Sequence, residues 1–249
     1  MSIKSLIKLA LLYGGPRSVI VPWALNYTRL ITGCTLGLFH RVADRHISYA
    51  AFSAVGDRRY GNSDAVNDLP LNFYFRVAAS ADYAYVIELG ALSAFRIIEL
   101  GRLMKSVQRL TRVYGLDVTA DYAIERELDG VIVGPNNLTT IRTIGGRHAG
   151  RGLICATGTL CCYAQDDLAA MFALAASQNC DVALVEPNFS VWERENRMSF
   201  KRSRISSYHP YVPMLRIAGY ELAEGGLQIP RTWNDSAEEW TFIFATRPT

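Results

Sequence analysis

From residue 84 onward the chain alternates short, continuously apolar runs with stretches of helical periodicity, and this rhythm constrains the fold more than any other feature. Buried strands that alternate with helices pair in parallel, because each helix must cross back over the sheet before the next strand begins. The first strand is Ala84-Tyr-Val-Ile-Glu-Leu89. After it, Ser93 to Leu110 places Ile97, Ile98, Leu100, Leu103, Met104, Val107 and Leu110 near the helical spacing. Further strand-like runs fall at Val113–Val118, Gly130–Val133, Gly152–Thr157 and Asp181–Val185, with a helix expected from about Gln165 to Ser177. The rhythm then changes. Tyr211 to Gly219 reads as a short helix stopped by a glycine at the position that requires a left-handed backbone. Tyr220–Ile229 and Glu239–Thr246 follow with no helix between them, so they pair antiparallel. The expected fold is α/β and Rossmann-like: a mostly parallel seven-stranded sheet ending in an antiparallel hairpin, preceded by an N-terminal helical segment.

The 249 residues suit one large domain with an appendage, and charge divides the two. Residues 1–60 carry eight Lys/Arg against Asp44 and Asp57, a formal +6, which leaves −3 for the remaining 189. We therefore expect a basic helical cap and linker over residues 1–80 and an α/β domain over 81–249. Ser5–Leu12 and Trp23–Leu38 are the candidate cap helices, and the turn-rich stretch Gly56–Pro70 is the linker. Such a cap either packs on the main domain or lies at an anionic membrane surface, where a basic amphipathic face gains apolar burial and electrostatic attraction together. A total charge of +3 gives no footprint for nucleic acid, and none is expected.

Cys34, Cys155, Cys161, Cys162 and Cys180 are odd in number and mostly sit in apolar runs, the pattern of buried thiols in a reducing compartment. No CxxC pair supports a metal, and no metal is expected. The first fifteen residues lack a clear cleavage site, and Asn26, Arg29, Pro22 and Gly33 interrupt the apolar stretch Val19–Phe39. The expected location is cytoplasmic, either free or peripheral to a membrane through the basic segment.

In an open α/β sheet the ligand lies beyond the carboxyl ends of the strands, so chemistry is sought just after each one. Asp117 closes the second strand. A carboxylate there accepts two hydrogen bonds from a ribose diol, or else caps the next helical turn. Three patterns are missing: a GxGxxG turn, since only Gly90 follows the first strand, a GxxxxGK[ST] loop, and a GxSxG elbow.

The segment Val86-Ile-Glu-Leu-Gly-Ala-Leu-Ser-Ala94 resembles the first motif of the class I S-adenosylmethionine-dependent methyltransferases, an acidic residue followed by a glycine-rich turn. Tyr114-Gly-Leu-Asp-Val-Thr119 is similar to the second motif. Leu153–Leu160 and Val182–Pro187 resemble the family's fourth and fifth strands, and Leu215–Leu222 with Trp240–Pro248 its closing helix and hairpin. The likeness spans about residues 82 to 248 and lies in the order of the motifs. It implies S-adenosylmethionine as cofactor, with Glu88, Gly90 and Ser93 near its methionine end, Asp117 on the ribose, Asn136 or Asn137 near the adenine, and Thr157 and Gly158 bordering the transferred methyl. The sequence departs from the family at Leu92 and Ala94, where small residues, mostly glycine, are usual, and at Pro135, where an acidic residue is often found.

Methyl transfer to a hydroxyl needs an aligned acceptor and a base. His209, just before Pro210 and the closing helix, is the candidate base. Arg194, Arg197, Lys201, Arg202 and Arg204, with Trp192, Phe200 and Tyr208, form either a solvated face or an anion-binding lid. The expected function is methyl transfer to a small-molecule or glycan-type acceptor. The departures motivate one alternative, a catalytically silent methyltransferase-like domain used for binding or assembly, and an oxidoreductase on a similar sheet is another.

Overall fold

The computed structural model describes residues 69–92, 94–187, 200–201, 207–229 and 240–248. The candidate helices at Ser5–Leu12 and Trp23–Leu38, Ser93, and Trp192, Arg194, Arg197, Arg202 and Arg204 of the basic segment lie outside them.

Helix α1 (Leu69–Ser80) precedes strand β1 (Tyr85–Leu89), followed by α2 (Phe95–Ser106) and β2 (Arg112–Asp117). Then come β3 (Arg126–Leu128), β4 (Val131–Pro135), α3 (Leu138–Arg147) and β5 (Gly152–Thr157). After α4 (Gln165–Ser177) and β6 (Cys180–Pro187), a two-residue pair, β7 (Phe200–Lys201) and β8 (Ser207–Tyr208), leads to α5 (Tyr211–Ile217), β9 (Glu221–Ile229) and β10 (Trp240–Thr246). The main sheet has eight strands in the order β3-β4-β2-β1-β5-β6-β10-β9. Neighbours among β4, β2, β1, β5 and β6 pair in parallel, whereas β10 runs antiparallel to both β6 and β9. Seven strands are those expected. The eighth, β3, is a three-residue edge strand antiparallel to β4; Arg126 and Glu127 are exposed, so it has no apolar signature to read.

Strand parity divides the core in two. Val86, Val113, Val131, Leu153 and Val185 face α1 and α2, while Ile87, Tyr114, Ile154, Val182 and Leu184 face α3, α4 and α5. Helix α1 starts with Pro70 in its first turn, where a missing N–H costs nothing, and buries Leu71, Phe73, Tyr74, Val77 and Ala78 in the first of these cores. Among the described residues no helix is long and apolar enough to cross a membrane.

The amino ends of the strands are tied by Asp181, which is fully buried at the start of β6. Its carboxylate accepts the Tyr83 hydroxyl at 2.6 Å, Arg151 Nη2 at 2.7 Å and the Arg247 backbone N–H at 3.0 Å, joining the segments that flank β1, β5 and β10.

Candidate functional site

Parity also decides which polar groups meet at the carboxyl ends. Glu88 stands opposite Gly115 on β2 and Cys155 on β5, so Asp117 and Thr157, each two residues further on, point to the same face. All three lie on the side covered by α1 and α2. Glu88 is buried and ion-paired with Arg96 Nη1 of α2 at 3.2 Å. Thr157 shares a 2.6 Å hydrogen bond with the buried hydroxyl of Tyr74 from α1.

The turn after β1 has a particular backbone. Gly90 (φ 73°), Leu92 (φ 46°) and Ala94 (φ 59°) are all left-handed, which costs a residue with a side chain roughly 1–2 kcal/mol. The positions where the family uses small residues, mostly glycine, thus keep a left-handed backbone here without glycine. Neighbouring groups hold the turn in place. Gly90 and Ala91 donate to the Leu116 carbonyl at 2.7 and 3.1 Å, Leu92 N–H donates to Asp117 Oδ2 at 3.0 Å, and the buried Tyr122 hydroxyl donates to the Leu92 carbonyl. Leu92 itself is half-buried and belongs to neither core.

Asp117 is 3% exposed. Its Oδ1 accepts the Thr119 N–H at 3.0 Å, closing a local turn ahead of the 3-10 helix Ala120–Tyr122, while Oδ2 serves Leu92. Of the two asparagines after β4, Asn137 caps α3, its Oδ1 accepting Thr140 N–H at 2.8 Å. Asn136 points elsewhere: Oδ1 accepts the Tyr163 hydroxyl at 3.0 Å, and its backbone N–H donates to the Asp117 carbonyl at 2.8 Å. Gly158 is left-handed (φ 58°), and a β-carbon there would sit 3.0 Å from the Trp240 ring. A β-carbon on Gly90 would overlap the Thr159 side chain, so the turns after β1 and β5 touch directly.

His209 is 2% exposed and lies edge-on to Tyr211, ring centroids 5.7 Å apart. The sequence reading gave no role to Tyr74, Tyr122 or Glu186. Glu186 is completely buried at the end of β6 and takes three backbone N–H groups of the turn after β5. A carboxylate inside an otherwise apolar strand was the available signal. Burial pushes its carboxyl up to about 7 against the opposing pull of those donors.

A doubly wound sheet closed by an antiparallel hairpin, with carboxylates ending adjacent strands, has the fold of the class I S-adenosylmethionine-dependent methyltransferases. No protein-family model and no curated protein matches the sequence. Among solved structures, the DszA carbon methyltransferase superposes with a TM-score of 0.50 at 16% identity, over 78% of this chain and 57% of that one. The [4+2]-cyclase SpnF also gives 0.50, at 11% identity, over 74% of this chain and 80% of that one. The 1,6-didemethyltoxoflavin-N1-methyltransferase of Burkholderia thailandensis gives 0.46 at 12% identity, over 81% and 89%. The two likenesses at a TM-score of 0.50 establish the fold, and a fold shared with a cyclase leaves the activity to the site.

Proposed function

We propose that the chain is an S-adenosylmethionine-dependent methyltransferase acting on a small-molecule or glycan-type acceptor, with a hydroxyl oxygen as the methylated atom. The observation that carries this is the turn after β1. Leu92 and Ala94 keep a left-handed backbone without glycine, and Leu92 is fastened by its N–H to the carboxylate of β2; strain of this kind clusters at ligand sites, where surrounding structure over-determines it.

The residues present fit the cofactor. Each Asp117 oxygen takes one N–H, and a carboxylate oxygen has two acceptor sites, so one per oxygen is left for a ribose diol. Asn136 spends its carbonyl on Tyr163, leaving its NH₂ for a ring nitrogen. Gly90 is partly exposed, with the Thr159 side chain packed against its α-carbon. Glu88 with its Arg96 partner, and Ser93, would lie toward the methionine end, and Thr157 and Gly158 toward the methyl. When bound, the cofactor supplies an electrophilic methyl on a sulfonium. The chain then orients the diol through Asp117, sets the wall beside the methyl through Gly158 and Thr159, and excludes water through the α1 side, where Tyr74 closes over Thr157.

His209 is proposed as the base that takes the acceptor proton. Its support is its position before α5 and its contact with Tyr211, and its burial requires the acceptor to reach it from within the site. The buried free thiols Cys155, Cys161 and Cys180 support a reducing, cytoplasmic setting, and the basic residues 1–60 support peripheral contact with an anionic membrane.

Calorimetric titration with S-adenosylhomocysteine tests the proposal. Micromolar binding is expected, with label transfer from methyl-labelled cofactor to hydroxylated acceptors and a drop in kcat for His209→Gln. No heat and no thermal shift at millimolar ligand would leave the silent-domain alternative.

A further inference from the structure

The turn after β5 is a 3-10 turn, Leu160–Cys162, and its first N–H groups need acceptors. A side chain at the preceding residue ordinarily supplies one, but Thr159 makes no such bond. Its hydroxyl donates to the Thr157 carbonyl at 3.2 Å, and its side chain lies against Gly90. The acceptor comes instead from a different strand. Glu186 Oε1 receives Thr159 N–H at 3.0 Å and Leu160 N–H at 2.9 Å, and Oε2 receives Cys161 N–H and the Tyr211 hydroxyl, each at 3.3 Å. One carboxylate on β6 therefore fixes the height of the β5 turn and frees Thr159 to face the turn after β1.

We infer that Glu186 is a positioning residue for the site: its ionised carboxylate latches the β5 turn against Gly90, and the cofactor pocket holds its binding shape only while that latch is charged. This rests on the methyltransferase reading of the same site. A proton on Oε2 would reverse its bond with the Tyr211 hydroxyl, which would then accept, and would weaken Oε2 as an acceptor for Cys161 N–H, loosening the anchor of the turn. The groups facing Glu186 are the Thr159, Leu160 and Cys161 amides of the turn, Tyr211 from α5 with His209 behind it, and Thr241, its register partner on β10, while the Cys161 and Cys162 thiols act on Tyr211. None of the ion pairs among the described residues reaches it. Its carboxyl accordingly titrates at about 7.

The full chain is followed by amide exchange at Thr159, Leu160 and Cys161 and by titration with S-adenosylhomocysteine, both at pH 8 and pH 6. Protection of these three amides, corrected for intrinsic rates, should fall at pH 6 while that of the β5 amides holds. Affinity should fall about tenfold, the change in ionised fraction of a carboxyl titrating near 7. Glu186→Gln should bind weakly and equally at both pH values. Tyr211→Phe, which removes one donor and keeps the ring, should move the midpoint of the wild-type pH dependence upward. Amide protection independent of pH, or a Glu186→Gln protein that binds as tightly as wild type at pH 8, would overturn the latch. A pH step in the amides with no ligand binding at any pH would support the latch and reject the cofactor.

Discussion

The backbone N–H of Leu92 donates to Asp117 Oδ2 at 3.0 Å, so the tip of the turn after β1 is fastened to the last residue of β2. Asp117→Ala removes that acceptor and the one for Thr119 together. Two amides lose a charged partner, at about 1–3 kcal/mol of stability, and the proposed anchor of the ribose diol is removed. Binding of S-adenosylhomocysteine is expected to weaken at least tenfold in a protein that still melts cooperatively. Unchanged affinity in calorimetry would confine Asp117 to holding its own chain.

Leu92 and Ala94 both sit at positive φ. Glycine relieves roughly 1–2 kcal/mol of left-handed strain, loses roughly 0.5–1 kcal/mol in chain entropy and, at the fully buried Ala94, gives up a methyl worth about 0.8 kcal/mol, so Ala94→Gly should change stability by less than about 1 kcal/mol in urea denaturation. Leu92→Gly tests function in addition. Because Leu92 is half-buried and outside both cores, its removal should leave ligand affinity similar or slightly weaker. Affinity that appears in Leu92→Gly from a wild type that binds none would establish the silent domain.

Asp181 gives a control far from the site. Its carboxylate is fully buried and accepts Tyr83, Arg151 and the Arg247 N–H, so Asp181→Ala strands a partly buried cation and a hydroxyl. The expected loss is about 3–5 kcal/mol, read as a lower denaturation midpoint. The folded fraction should bind ligand as the wild type does, because these contacts tie the opposite ends of the strands.

The sheet was legible because burial on both faces writes continuous apolar runs, and β5 was found with its ends intact at Gly152 and Thr157. Helix α3 left a weaker trace, since only Ile141 and Ile144 are buried and Gly145 and Gly146 break its pattern. Helix α1 was readable in principle: Leu71, Tyr74, Val77 and Ala78 recur at helical spacing, but the polar stretch before Pro70 drew the segment into the linker. Among the candidate site residues, Asp117 stood out at a strand end, while Glu88 and Thr157 took their roles from the methyltransferase resemblance. Tyr74 and Glu186 were not legible, because their partners lie 83 and 25–27 residues away and only the packed sheet brings them together.

Glu186 also sets a dependence of stability on pH whose sign separates a latch from a simple brace. In the folded chain its carboxyl keeps its proton up to about pH 7, whereas the unfolded chain releases it near 4.5. Between those values the folded state binds more protons, so this group's contribution to stability falls as pH rises through the window and returns as pH falls. The span amounts to on the order of 3 kcal/mol. His148 acts in the opposite direction, because burial and the nearby Arg112 and Arg147 hold it below its usual value, and its contribution is lost as pH falls below about 6.5. That term is common to wild type and Glu186→Gln, so the difference between their unfolding free energies isolates Glu186. Relative to Glu186→Gln, wild type should gain stability from pH 8 to pH 5 in urea denaturation, while its affinity for S-adenosylhomocysteine declines from pH 8 to pH 6. Stability and affinity that fall together would mean that the carboxylate only braces the fold.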